Sequence, residues 1–152
     1  MTYGSLEMTM KQLRSDGIEA YLAETGRIYL CGNLQKDPEV DYIKTEAYEM
    51  GISDYPEYTS MRPHIHTFNN EYSYVLDGEI KVLLLSSGRE YLFRKGDFFV
   101  MEPGEPHAMK CIAGTRTIFS KVPGGNDKLL VEESKGVAAW GLSWDARYSA
   151  DE

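Results

Sequence analysis

The chain has 152 residues, 24 acidic against 16 basic for a formal net charge of −8, and a hydrophobic fraction of 42%. One domain suits this length, and such a chain can bury a core without covalent staples. The acidic balance disfavours nucleic acid and anionic membrane as partners, since both require a basic face.

Cys31 and Cys111 are the only cysteines. They are too few for a disulfide framework and suggest free thiols. The N-terminus lacks a basic-then-apolar signal pattern, and no apolar run approaches a membrane span. We therefore expect a cytoplasmic protein without a membrane partner.

Taken in chain order, residues 5–15 read as a short helix. Ser5 suits the N-cap, Leu6, Met10 and Leu13 fall at helical spacing, and Asp16-Gly17 reads as the stop. Residues 27–31 read as a short strand and residues 40–50 as a longer one, rich in Tyr, Ile and Thr.

From Ser60 to Val122 the pattern is regular. Turn signals recur at Asn69-Asn70, Asp77-Gly78, Ser87-Gly88, Gly96-Asp97, Pro103-Gly104 and Gly114. Between them lie short apolar or alternating runs at 71–76, 80–85, 90–94, 98–101, 108–112 and 115–122. Short strands with such turns predict an antiparallel sandwich or barrel. Asp77-Gly78 is a strong hairpin signal. Pro103-Gly104-Glu105-Pro106 cannot continue a ladder and reads as a loop.

Beyond Pro123-Gly124-Gly125 the character changes. Trp140 and Trp144 either share a helical face or pack onto a sheet. There is no internal repeat. The chemistry-bearing residues lie inside the regular region. His64, His66 and His107 are the whole histidine content. On a strand His64 and His66 point to one face, with Cβ atoms about 7 Å apart. Glu71 lies across the next connection, and His107 follows the Pro-Gly loop. Three imidazoles and a carboxylate suit one divalent transition metal: Fe, Mn, Co, Ni, Cu or Zn. Four protein ligands on a six-coordinate ion would leave two positions open, as a catalytic site requires.

These residues resemble a known family. His64-Ile65-His66, Glu71 and Gly78 are similar to the first motif of the cupin superfamily, and Gly96, Gly104 and His107 to its second. The direct resemblance covers about residues 58–111. Tyr58 stands where the first motif often has Gly. Glu102 stands where the second often has Pro, and Cys111 where it often has Asn. The resemblance implies an all-β fold, a double-stranded β-helix or jelly-roll barrel, with metal ligands pointing into its mouth and often a homodimer. We expect a single cupin domain over 1–152, a core barrel at about 58–122, the short N-terminal helix, and both terminal extensions packed on the barrel.

Parity along the strands nominates further pocket residues. Arg62 shares parity with His64 and His66 and is expected to grip an anionic substrate group. Met109 and Cys111 share parity with His107 and are expected to line the wall. Tyr72 and Tyr74 should face away from Glu71, toward a partner or a second layer. Eleven tyrosines make a pocket tyrosine acting as acid or base a reasonable expectation.

The functional expectation is a metal-dependent enzyme acting on a small oxygen-rich substrate such as a sugar, keto acid or other enolisable compound. Isomerase, lyase or dioxygenase chemistry fits this ligand set. A non-enzymatic small-molecule or carbohydrate-binding module is the alternative, and a closed structural metal site is the third.

Overall fold

The computed structural model describes residues 10–34 and 40–150. A helix α1 (Ser15–Thr25) leads into β1 (Arg27–Gly32), β2 (Ile43–Lys44) and β3 (Glu49–Tyr55). Then follow β4 (Thr59–His66), β5 (Asn70–Asp77), β6 (Glu79–Leu84), β7 (Glu90–Arg94), β8 (Phe98–Met101), β9 (His107–Cys111) and β10 (Thr115–Val122). β11 (Lys128–Leu130) and α2 (Lys135–Gly141) complete the chain.

The strands form two sheets, of order β2-β1-β3-β10-β5-β8 and β11-β4-β9-β6-β7. All pairings are antiparallel except β1 with β2. This is the expected all-β jelly roll. β7, β8 and β10 carry the bounds that the turn signals predict. The hairpin expected at Asp77-Gly78 is instead a turn from one sheet to the other, because β5 and β6 do not pair; it turns on Gly78 at φ 83°, where an added Cβ would collide with Thr115. Only glycine meets both demands.

Alternation builds the core between the sheets. Val75, Ile80, Val82, Met101 and Cys111 are buried there, with Phe93, Phe99 and Met109 packed against them. The opposite face of β6 and β9 is largely covered. Leu83 and Ala108 bury against Val137 and Trp140 of α2.

Two further expectations are corrected. The first concerns the N-terminal helix. Residues 1–9 lie outside the described residues, and residues 10–14 are not helical. The helix runs over Ser15–Thr25, so Asp16-Gly17 opens it instead of ending it. Asp16 in the first turn favours a helix N-terminus by charge, and its Oδ1 accepts the Gly17 N–H at 2.9 Å. The real stop is Gly26 at φ 75°, whose N–H donates to Leu22 O. The second concerns residues 40–50, which do not form one strand but are divided between β2 and the start of β3.

Trp140 and Trp144 take the second of their two alternatives. The helix ends at Gly141, and both rings pack over lysines of the sheet, Lys110 Nζ at 4.2 Å from the Trp140 centroid and Lys81 Nζ at 4.4 Å from that of Trp144. Lys110 is fully buried. Its ammonium donates to the carbonyls of Trp140 (2.8 Å), Ser143 (2.9 Å) and Ala146 (3.0 Å). A buried charge is tolerable only with such partners. Lys110→Met should leave three carbonyls without their donor and cost about 3 kcal/mol. Chemical denaturation followed by tryptophan fluorescence tests this, and an unchanged midpoint would show that the C-terminal segment holds without the lysine.

Candidate metal centre

His64 and His66 sit at the end of β4, and His107 opens β9. Their backbones are neighbours, since His64 pairs with His107 across β4 and β9. One ring nitrogen from each of the three lies within 4.8 Å of the others. All three rings are buried.

Each Nδ1 is held from behind. That of His64 lies 3.1 Å from Arg62 O, that of His107 2.9 Å from Glu105 O, and that of His66 2.8 Å from Asp127 Oδ1. With Nδ1 carrying the proton, Nε2 keeps its lone pair. Fixing the tautomer in this way is what metal-ligating histidines require of their surroundings.

Protonation favours the same role for His64 and His107. Burial, reinforced by His107, lowers the pKa of His64 to about 4. Burial also lowers that of His107. At neutral pH both rings are therefore uncharged. For His66 burial acts in the same direction, but the Glu71 and Asp127 carboxylates outweigh it and raise the pKa.

Glu71 stands beside the histidine group. Its Oε2 is 2.8 Å from His66 Nε2. The contact is misaligned for a hydrogen bond, which leaves His66 Nε2 buried with no hydrogen-bond partner. A buried orphan nitrogen among two other imidazoles and a carboxylate fits a metal ion. Burial pushes against ionisation of Glu71, but His66 and the Lys121 charge prevail and bring its pKa to about 2.

His64 and His66 line a cavity of about 60 Å³ between the sheets, and His107 stands beside them. Met109 and Cys111 line it, as parity predicts. Burial pushes the Cys111 thiol up to about 12, so it is a neutral wall residue. Tyr55 also lines the cavity, and burial raises its pKa and keeps its hydroxyl protonated.

Arg62 requires correction. It is exposed and does not line the cavity. The register between β4 and β9 shifts between Met61 and His64, so parity counted back from the histidines fails across this irregularity. Met61 takes the inward position instead.

Sequence reasoning missed Asp127. It is buried, and besides His66 its carboxylate accepts the N–H groups of Phe68 (2.9 Å) and Asn69 (2.8 Å). Burial opposes its charge, yet those backbone donors and His66 bring its pKa to about 2. One carboxylate thus ties the β4–β5 turn to the His66 ring. It follows a Gly-Gly pair in a stretch without alternation, so only the long-range pairing of β11 with β4 reveals it.

The comparisons agree with this architecture. A family model described as "Cupin domain" matches residues 51–119, which include all four ligand candidates. An uncharacterised double-stranded β-helix protein from Klebsiella pneumoniae subsp. pneumoniae superposes with a TM-score of 0.50 at 18% identity, over 59% of this chain and 78% of that one. Residues 51–119 form a cupin domain, and the chain has the double-stranded β-helix fold. The structure is also similar to KdgF of Halomonas sp., with a TM-score of 0.49 and 21% identity over 55% of this chain and 74% of that one. Oxalate decarboxylase of B. subtilis gives 0.48 and 18%, over 57% of this chain and 25% of that one. A comparison with curated proteins gives no match.

The role of Asp127 is testable. Asp127→Asn should weaken metal binding by roughly ten- to a hundred-fold, the usual effect of removing a carboxylate behind a ligating histidine. Competition against a chromogenic chelator measures it. Unchanged affinity would reduce Asp127 to a turn anchor.

Proposed function

We propose that this protein is a metal-dependent enzyme acting on a small oxygen-rich substrate. The observation that carries the reading is the convergence of three back-tied histidines on one buried point that faces a cavity. His64, His66 and His107 would hold a divalent transition metal, with Glu71 placed to join them. A bound ion would supply Lewis-acid polarisation of substrate oxygens.

The chain's own residues supply the rest. Ser53, Ser73 and Thr117 present hydroxyls to the cavity and can orient substrate oxygens. Tyr55 keeps its proton and can donate it to a developing oxyanion. The apolar wall of Met61, Ile80 and Met109 limits water. A proton donor beside the ligand set favours isomerase or lyase chemistry over dioxygenation. It also favours an enzyme over a passive binding module. The cavity shares residues with an outer cleft, and such access argues against a closed structural site.

Natively purified protein should contain about one transition metal per chain, and His66→Ala should lose it while keeping the β-sheet spectrum. Elemental analysis decides this, and equal metal content in the variant would refute the ligand assignment. A turnover screen of sugars and keto acids, after chelation and reloading with Fe, Mn or Ni, then identifies the reaction.

We also propose a homodimer. β7 and β8 are sheet edges, and Tyr74, Phe98 and Val100 are exposed on the outer face beside them. Tyr72 stacks on Phe98 there, with centroids 6.1 Å apart. Light scattering at micromolar concentration should give twice the chain mass, and the mass of a single chain would remove the proposal. The two buried free thiols support a reducing, cytoplasmic setting. Among the described residues no helix is long and apolar enough to cross a membrane.

A further inference from the structure

Three cations surround the cavity in a chain whose net charge is −8. Arg27, Lys121 and Lys128 line both the inner cavity and an outer cleft of about 740 Å³, so they form the passage between the two. Glu71 is the single carboxylate among the residues lining the inner cavity.

Strand register fixes where these cations point. Lys128 pairs with His66 across β11 and β4, and Lys121 pairs with Glu71 across β10 and β5. Directly paired residues project from the same face of a sheet. Each lysine is thus set beside one ligand candidate. Arg27 pairs with Ser53 across β1 and β3, and Ser53 lines the cavity. Its Nε donates to Ser53 Oγ at 2.9 Å, and its guanidinium lies 5.0 Å from the Phe119 centroid. The arginine is therefore held in place at the mouth.

The cations lack sufficient protein counter-charge. Arg27 and Lys128 form no ion pair with any described residue. Lys121 has only Glu49, at 3.9 Å. Arg116, in a separate cleft, makes the contrast. It is matched by Glu19 at 2.8 Å and Asp54 at 2.6 Å. Desolvation and then the charges of Arg27 and Lys121 lower the pKa of Lys128, and Glu71 only partly opposes them. Three cations with only Glu71 and Glu49 as nearby counter-charge are complementary to an anionic ligand.

We propose that the cavity takes a small organic acid, its carboxylate seated among Arg27, Lys121 and Lys128 and its reactive oxygens facing the three histidines. The inner space of about 60 Å³ admits only the reactive end, and the cleft accommodates the remainder. The planar fork of Arg27 suits a carboxylate in particular. The part facing the histidines rests on the metal-dependent reading above, whereas the carboxylate seat does not.

The test is isothermal titration calorimetry with malonate, its uncharged analogue malonamide and inorganic phosphate, on protein as purified and after chelation. Malonate should bind in both states, malonamide far more weakly, and phosphate more weakly than malonate. Arg27→Met and Lys128→Met should each weaken malonate by roughly ten- to a hundred-fold, with metal content unchanged. Lys128 is exposed on a short edge strand, so its replacement tests the seat even if Arg27→Met lowers stability. Equal binding of malonate and malonamide, or variants that bind malonate as wild type does, would overturn the proposal. Phosphate binding as tight as malonate would overturn the carboxylate assignment. Charge-dependent malonate binding by protein that takes up no metal would support the seat and sink the metal reading alone.

Discussion

Burying three imidazoles in one corner sets a strict polar balance, because each ring carries two nitrogens and water is largely excluded. The protein satisfies the outer nitrogen of each ring and leaves the inner nitrogens facing one another. Two of the outer partners are backbone carbonyls only two residues away, at Arg62 and Glu105. The third is a side chain 61 residues distant, Asp127. That long-range contact makes the geometry depend on tertiary structure. β11 must lie against β4, and the β4–β5 turn must close on the same carboxylate, before His66 is oriented.

The framework around this corner is over-determined. His64 and His66 follow Pro63, and His107 follows Pro106, so rigid backbone precedes each ligand strand or segment. Beneath β9 the pinned Lys110 and the Trp140 ring fill the opposite face of the sheet. A ligand strand supported on both faces has little freedom to shift. Such support is what holds a metal constellation within its productive geometry.

Much of this was legible in the sequence where the physics is local. From residue 60 to 122 the two-residue alternation and the Gly, Pro and Asp turn chemistry act over neighbouring positions, and the strands emerge within a residue or two of expectation. His107, Met109 and Cys111 follow parity because β9 is regular. Arg62 does not, because an irregularity in β4 changes the count and linear sequence carries no mark of it. Asp16-Gly17 misled because the same dipeptide can open or close a helix, and the buried Leu22 contact decides which. Asp127 and Lys128 were invisible for another reason. Their placement depends on a three-residue edge strand whose partner lies more than sixty residues away.

The electrostatics unify the site. An acidic protein concentrates three cations at one opening, keeps two histidines neutral and keeps Glu71 ionised. Neutral rings donate lone pairs, the ionised carboxylate offers charge, and the basic passage draws anions inward. The central claim is that histidine nitrogens hold a metal here. X-ray absorption spectroscopy at the metal edge of natively purified protein tests it most directly. The account predicts a nitrogen and oxygen shell at about 2.0–2.2 Å with outer-shell scattering from imidazole rings. Sulfur ligation, or a shell without imidazole scattering, would contradict it.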